Sequence, residues 1–447
     1  MESFVVKWLH EAIGHKIDLT QYGGLKGQST SHYLIDLVNF VLYNQDLKNP
    51  HATLAVMYDF YKAFNRQDHN ILITLLSDMG TPGWLLKLVI AFLENRKMVL
   101  NHKGCSSGEE DLPGGGPQGT KLGLYLFLVL INKAGYKPNQ MNFNLGEQIT
   151  EPKRKPILRT QQKYVDDMTQ CAAVNLKQLA TLNTNQVRPA SYHERTGHIT
   201  APQDNPIKEG VTKLVKYATE HKMKVNTKKT KAMVFNQAKS VDILPEIRMD
   251  NDDKIEVVDE IKLLGIIIRN DLKWHSNTKN IISKCFARMW LLRNLKKYGA
   301  SEDQMFEVYI QQIRSVAEMA CPVWNSGLTC HESRSLERVQ RTAMAIIRGE
   351  NHTCYREALE HFELKTLEEI RTYICLKFAL RAYKHPKFSK WIPKNVNTVN
   401  TRSEKTPLMH IRGRTKRYLN SPLPYLNVLL NDYLMKKQVA QNDELSL

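Results

Sequence analysis

Two aspartates stand side by side in "QKYVDDMTQ" (162–170), Asp166 and Asp167, behind a tyrosine and a valine. Adjacent like charges repel and resist burial unless water or a cation screens them. The dipeptide reads either as a solvated surface turn or as half of a metal site. A third carboxylate, Asp59, follows the apolar run at the start of "HATLAVMYDFYKAF" (51–64). If that strand lies beside a hairpin tipped by Asp166 and Asp167, two or three carboxylates converge. Such a group suits a hard divalent cation; Mg²⁺ takes a few carboxylates, its own waters and substrate phosphates. Two ions about 3.5–4 Å apart would clamp the attacking and leaving oxygens of an in-line phosphoryl transfer.

The elements that must position these groups follow from periodicity. Residues 51–59 alternate as a strand, with Leu54, Val56 and Tyr58 on one face and Ala55, Met57 and Asp59 on the other. A helix with the stripe Ile71, Leu72, Leu75, Leu76 and Met79 is stopped by Gly80 and Pro82. "WLLKLVIAFLENR" is the next helix, and the glycine-rich "DLPGGGPQG" runs into an apolar one. A polar insert at about 137–160 precedes "QQKYVDDMTQCAA", which reads as strand, turn and strand; another polar segment covers 183–206. Then come the helix "GVTKLVKYATEHKMKV" and the strands "KAMVF" and "IKLLGIIIRNDLKW". From about 275 the pattern is helical, with "NIISKCFARMWLLRNLKKYG" its clearest amphipathic case. Mixed strands and helices followed by helices predict an α+β catalytic-type domain with a helical appendage.

At 447 residues the chain is long enough for two or three domains. Lys plus Arg number 63 against 45 for Asp plus Glu, a net charge of +18 that suits a polyanionic partner, nucleic acid first. Seven cysteines are scattered, and Cys321, Cys330, His331, His352 and Cys354 fit no zinc spacing, so reduced thiols are the expectation. The N-terminus has no cleavable hydrophobic core, and no apolar run approaches the roughly 20 residues of a membrane span. The expected setting is intracellular, cytoplasmic or nuclear.

Five ordered blocks, "AVMYDFYKAFNRQDHNILI", "LPGGGPQGTKLGLYLF", "KYVDDMT", "KVNTKKTKAMVF" and "IKLLGIIIRNDLKW", carry a family resemblance. The chain resembles the reverse transcriptase of non-LTR (LINE-type) retrotransposons over roughly residues 20–385, and "EMACPVWNSGLTCHESRSLERVQRTAMAII" is similar to the helical segment that follows the core there. The resemblance implies an α+β fold: a right-hand polymerase palm with partial fingers, a helical thumb and a C-terminal helical region. By position this gives partial fingers at 1–50, palm with the remaining fingers at 51–272, thumb at 273–350 and a helical or irregular region at 351–447. It implies RNA-directed DNA polymerase activity with two Mg²⁺ ions, or Mn²⁺ in their place. The implied partners are an RNA template, a DNA primer, their hybrid and deoxynucleoside triphosphates, with no membrane.

Carried over residue by residue, Asp59 and Asp166 match the metal-binding aspartates and Asp167 their hairpin neighbour. Phe64 matches the bulky residue that screens the sugar 2′ position; by spacing alone it is an ordinary core aromatic. Gln118 and Gly119 match the loop along the incoming nucleotide and template, where glycine lets backbone approach a base pair and an amide both donates and accepts. Lys229 matches the lysine near the leaving pyrophosphate; by composition Lys228, Lys229 and Lys231 equally form one solvated basic run. Lys26 matches a remaining fingers residue near the nucleotide. Leu264 and Gly265 match the turn that supports the primer end. Lys284, Arg288, Arg293, Lys296 and Lys297 would meet the duplex backbone, although a basic amphipathic helix also suits a membrane surface.

The chain departs from the family pattern in several places. Twenty residues precede the loop "QYGGLKGQST", where members carry a longer basic region, so an N-terminally truncated member is expected. Tyr61 replaces the usual serine, and Lys121 and Leu124 stand where an apolar residue and a proline are common. The competing expectation is an inactive polymerase-derived nucleic-acid-binding protein; a metal phosphohydrolase using the same carboxylates is a third.

Overall fold

The computed structural model describes residues 1–112, 114–136, 154–175, 207–236, 247–249, 253–349, 354–394 and 407–445. The polar insert expected at 137–160 lies outside them up to 153, and the segment expected at 183–206 lies wholly outside. The chain divides into two compact units: Met1–Tyr33, His51–Phe143 and Ile157–Val258 form one, and Leu34–Pro50, Asn144–Pro156 and Asp259–Leu447 form the other.

The first unit is built on a five-stranded sheet. In chain order its elements are helix α1 (Glu2–Ile13), the start of α2 (Thr30–Gln45), β1 (His51–Tyr58), α3 (His69–Asp78) and α4 (Gly83–Leu93). Two small antiparallel ladders follow, β2 (Lys97–Met98) with β5 (Glu110–Asp111) and β3 (Asn101–His102) with β4 (Cys105–Ser106). Then come α5 (Lys121–Leu130), β6 (Arg159–Tyr164), β7 (Asp167–Asn175), α6 (Lys208–Glu220), β8 (Lys231–Phe235) and β9 (Glu256–Val257). The strand order is β6-β7-β1-β8-β9, with β1 antiparallel to both neighbours.

Leu54, Val56 and Tyr58 of β1 join Met168, Ala172, Ala232 and Val234 in one core with α1, α3, α4, α5 and α6. The other face of β1 is buried as well, from Thr53 through Met57. β1 is a central strand covered on both faces, which is why its residues are apolar on both. Helix starts follow local capping. Asp68 accepts from the Ile71 amide at the start of α3, and Thr120 accepts from the Gly123 amide at the start of α5.

The second unit holds the hairpin β10 (Glu260–Leu263) and β11 (Ile266–Arg269), then α7 (His275–Lys297), α8 (Glu302–Val308), a π-helical turn at Tyr309–Arg314, α9 (Cys330–Arg348), α10 (Leu367–Lys384) and α11 (Pro422–Leu445). Ile281, Cys285, Met289 and Leu292 are the buried stripe of α7, which packs along α9. Capping boxes open α9 at Thr329 with Glu332 and α10 at Thr366 with Glu369. The buried Asp46 carboxylate accepts from Arg154 and from the amides of Arg414 and Thr415, and so ties the chain after residue 407 into this unit. Among the described residues no helix is long and apolar enough to cross a membrane.

Candidate active site

The carboxylates are brought together by register. β1 pairs antiparallel with β7 so that its last residue, Tyr58, faces Met168; Asp59 directly follows Tyr58 and Asp167 directly precedes Met168, and the Asp59 charge is felt at Asp167. β6 and β7 form a hairpin closed by the pair Tyr164 and Asp167, with Val165 and Asp166 as its two-residue loop. Asp166 therefore occupies the tip, beside the position where the central strand ends in Asp59.

The three charges act on one another. Burial raises the Asp166 carboxyl, its own amide draws it partly back, and the charge of Asp59 adds to the rise. Burial, then Asp166, then Asp59 push Asp167 up to about 6. Asp59 is fixed by the turn after α6: the Asn226 amide donates to Asp59 O (2.7 Å) and Asn226 Nδ2 donates to Asp59 Oδ2 (3.0 Å). Lys229 Nζ lies 3.9 Å from the same carboxylate on a largely exposed side chain.

Among the described residues, no group of three or more His, Cys, Asp or Glu stands close enough to hold a metal ion unaided. The donor chemistry nonetheless fits a divalent cation. Two carboxylates held up by burial and by neighbouring negative charge are relieved by a positive charge beside them, and Mg²⁺ needs only one or two carboxylates when waters and phosphates complete its shell. Asp59 and Asp166 would hold it, with Asp167 adjacent.

The glycine loop is anchored beside this cluster by the turn that follows β1. The Gly116 amide donates to Phe64 O (2.7 Å), the Gly115 amide donates to Gln67 O (2.9 Å), and His69 Nε2 donates to Gly115 O (2.9 Å). Gly115 has φ +88°, and a Cβ there would crowd the backbone of Asn65, so only glycine fits. Gln118 is exposed, with Nε2 3.4 Å from Asn65 Oδ1, and the neighbouring Gly119 (φ +81°) has open space around it. Phe64 is half-buried and stacks on Phe127 of α5, ring centroids 5.0 Å apart. Its ring packs partly against the core.

The segment "QYGGLKG" lies against the hairpin tip. Gln21 bridges in parallel to Lys163, and the Tyr22 amide donates to Lys163 O (2.8 Å). Lys26 is exposed a few residues beyond, in the same loop. Beneath the hairpin, Lys163 is fully buried, with Nζ 2.7 Å from Asp18 Oδ2 and donating to the carbonyls of Ile131 (3.1 Å) and Asn132 (2.9 Å). Burial pulls the Lys163 ammonium down despite its partner; burial also pushes Asp18 up, but Lys163 holds it below the ordinary carboxylate range. Asn226, Gln21, His69 and the Asp18–Lys163 pair were not singled out from the sequence. Asn226 and Gln21 stand inside quoted motifs, but nothing in their types marks a contact to a residue more than a hundred positions away.

The remaining residues singled out from the sequence belong to the second unit. Leu264 (φ +45°) and Gly265 (φ +90°) form the two-residue turn of β10 and β11, with both φ positive as a type I′ hairpin requires, and Met319 packs where a Cβ on Gly265 would sit. Along α7, Arg293, Lys296 and Lys297 are exposed and Lys284 and Arg288 half-buried. Lys296 Nζ donates to Ile346 O (2.6 Å) and Arg288 donates to Gln312 O, so these two cations already carry partners within the unit.

Residues 1–268 match the family model described as reverse transcriptase (RNA-dependent DNA polymerase). No curated protein matches the chain. Among solved structures the chain is similar to telomerase from Candida tropicalis in complex with a TWJ fragment of telomeric RNA, at 11% identity and a TM-score of 0.38, over 97% of this chain and 53% of that one. It is also similar to telomerase from Candida albicans in complex with a TWJ fragment of telomeric RNA, at 10% identity and a TM-score of 0.32, over 87% and 55%. The chain spans about half the length of each.

Proposed function

Because the chain belongs to the reverse transcriptase (RNA-dependent DNA polymerase) family, we propose that it is the polymerase core of a non-LTR mobile element, adding deoxynucleotides to a DNA primer 3′-hydroxyl along an RNA template. The observation that supports this reading is the β1–β7 register, which ends β1 at Tyr58 opposite Met168 and so brings Asp59 to the hairpin end, where its charge acts on both Asp166 and Asp167. The sequence blocks that resemble non-LTR elements supply the narrower assignment.

Bound at these carboxylates, Mg²⁺ supplies charge neutralisation and polarises the hydroxyl and the phosphates of the incoming triphosphate. The chain's own groups do the rest. Asp59, held at its carbonyl and carboxylate by Asn226, gives a fixed point of negative charge. Lys229, within ion-pair reach of Asp59, takes the place beside the leaving pyrophosphate, where its ammonium offsets charge and can give up a proton. Phe64, braced on Phe127, excludes the 2′-hydroxyl of a ribonucleotide. Gln118 and Gly119 lie along the incoming nucleotide and template, and Lys26 reaches its phosphates. In the second unit, the Leu264–Gly265 turn supports the primer end, and the exposed cations of α7 meet duplex phosphates without reading sequence.

Primer extension on an RNA template is the test. Asp166→Asn is expected to abolish Mg²⁺-dependent extension while leaving hybrid binding intact; undiminished extension refutes the assignment. A second reading, a protein that grips hybrids without copying them, draws on the excess of cations, a net charge of +18. It predicts salt-sensitive binding and no extension by the unaltered chain at any Mg²⁺ or Mn²⁺ concentration.

A further inference from the structure

The hairpin tip that carries Asp166 holds a residue in an unfavourable conformation. Val165, first of its two loop positions, has φ +58°. Two-residue hairpin loops with positive φ at that position ordinarily use glycine, and a β-branched residue there is strained and persists only where its surroundings hold it. The neighbouring segment supplies the restraint. Gln21, buried to 2% exposure, aims its side-chain carbonyl at three backbone amides: Tyr22 (3.1 Å), Gly23 (2.9 Å) and Val165 (3.1 Å). Two backbone bonds flank it, from the Tyr22 amide to Lys163 O (2.8 Å) and from the Lys163 amide to Thr20 O (2.9 Å).

Gly23 completes the contact from the other side. A Cβ at that position would stand 2.7 Å from both the amide nitrogen and Cγ2 of Val165 and 3.0 Å from the carbonyl carbon of Tyr164. Any side chain there displaces the hairpin tip. The next residue, Gly24 (φ +69°), would put a Cβ against Leu124 and Leu128 of α5. The segment thus joins the hairpin tip to the helix that follows the glycine loop.

We propose that Gln21 is a positioning residue, a clamp that holds Val165 in its left-handed conformation and so fixes the direction in which Asp166 is presented. The effect on copying rests on the polymerase reading; the clamp itself does not. Loss of the acceptor frees the Val165 amide, and Val165 relaxes toward extended backbone, which turns the following residue. A shift of about 1 Å in a reacting group can lower turnover on the order of 100-fold.

The test compares wild type, Gln21→Met, Val165→Gly and the double variant in the full chain. Methionine matches the length of glutamine without its acceptor, and glycine adopts positive φ at no steric cost. Two readouts are taken: hydrogen–deuterium exchange at the Val165 amide against the amides within β7, and kcat with KM for primer–template in extension. Gln21→Met is expected to lose protection at Val165 while β7 keeps its own, and to lower kcat about 10- to 100-fold with KM little changed. Val165→Gly in the Gln21→Met background is expected to restore part of kcat, a coupling that a double-mutant cycle isolates. Unchanged exchange at Val165 in Gln21→Met overturns the proposal, and so does uniform loss of protection through β6 and β7. Selective deprotection of Val165 with no extension by wild type leaves the clamp standing and removes the polymerase reading instead.

Discussion

Asp167→Asn is expected to stabilise the metal-free protein at neutral pH, although it alters a residue of the candidate active site. The cause is the carboxylate's environment: burial, Asp166 and Asp59 carry Asp167 from an ordinary 3.8 to about 6. The sign follows from linkage. Between the two values the folded chain binds a proton that the unfolded chain has released, so stability falls as pH rises from about 4 to 6 and stays lower above. A displacement of about two pH units at about 1.36 kcal/mol each amounts to roughly 3 kcal/mol. Because the group is only partly buried, screening reduces this to about 1.5 kcal/mol. Asparagine keeps the shape and cannot ionise. Thermal unfolding in a chelating buffer, scanned from pH 4 to 8, should show no advantage for the variant at pH 4 and a rise of a few degrees in Tm by pH 7. Millimolar Mg²⁺ should raise wild type more than the variant, narrowing the gap. A variant that is less stable than wild type at pH 7.5, or whose advantage does not grow with pH, refutes the argument that the three carboxylates repel one another in the metal-free fold.

Gln67 is 1% exposed and neither atom of its amide has a hydrogen-bond partner, so Gln67→Met, apolar and of similar shape, should add about 1–3 kcal/mol to stability in urea denaturation; a loss would mean that the amide is satisfied. Lys163→Met leaves the Asp18 carboxylate largely buried without its cation and should cost about 3–5 kcal/mol, most of it recovered when Asp18→Leu is added; a double variant no better than the single one would show that the cost lies in packing.

Much of the site was legible because it is carried by local sequence. The alternation in 51–59 marks a strand, and "QQKYVDDMTQCAA" reads as strand, turn and strand, as the hairpin with Tyr164 paired to Asp167 forms it. Gly115 and Gly265 announce backbone that no other residue adopts easily, and the loops form there. The stripe Ile281, Cys285, Met289 and Leu292 gives the buried face of α7 directly. Which strands flank β1 was not visible, because neighbours in a sheet leave no mark in the alternation of one strand. The division of labour along α7 was hidden as well: Arg288 and Lys296 read as phosphate contacts, yet each already donates to a backbone carbonyl within its unit.

The sequence by itself determined the elements, the glycine turns and the candidate carboxylates, because these depend on residues a few positions apart. Only the tertiary structure decided which long-range partners hold them. Asp59 gains Asn226 and Lys229, Val165 gains Gln21, and Lys163 gains Asp18, across separations of 144 to 170 residues where a separation is that of the bonded pair. Such pairings arise from the order in which strands add to the sheet, and strand order leaves no local periodicity to read. The approach of Asp59 to the hairpin is a matter of register between β1 and β7, whose last pair is Tyr58 with Met168, and a slip of one residue would turn the side chains of β1 to the opposite face.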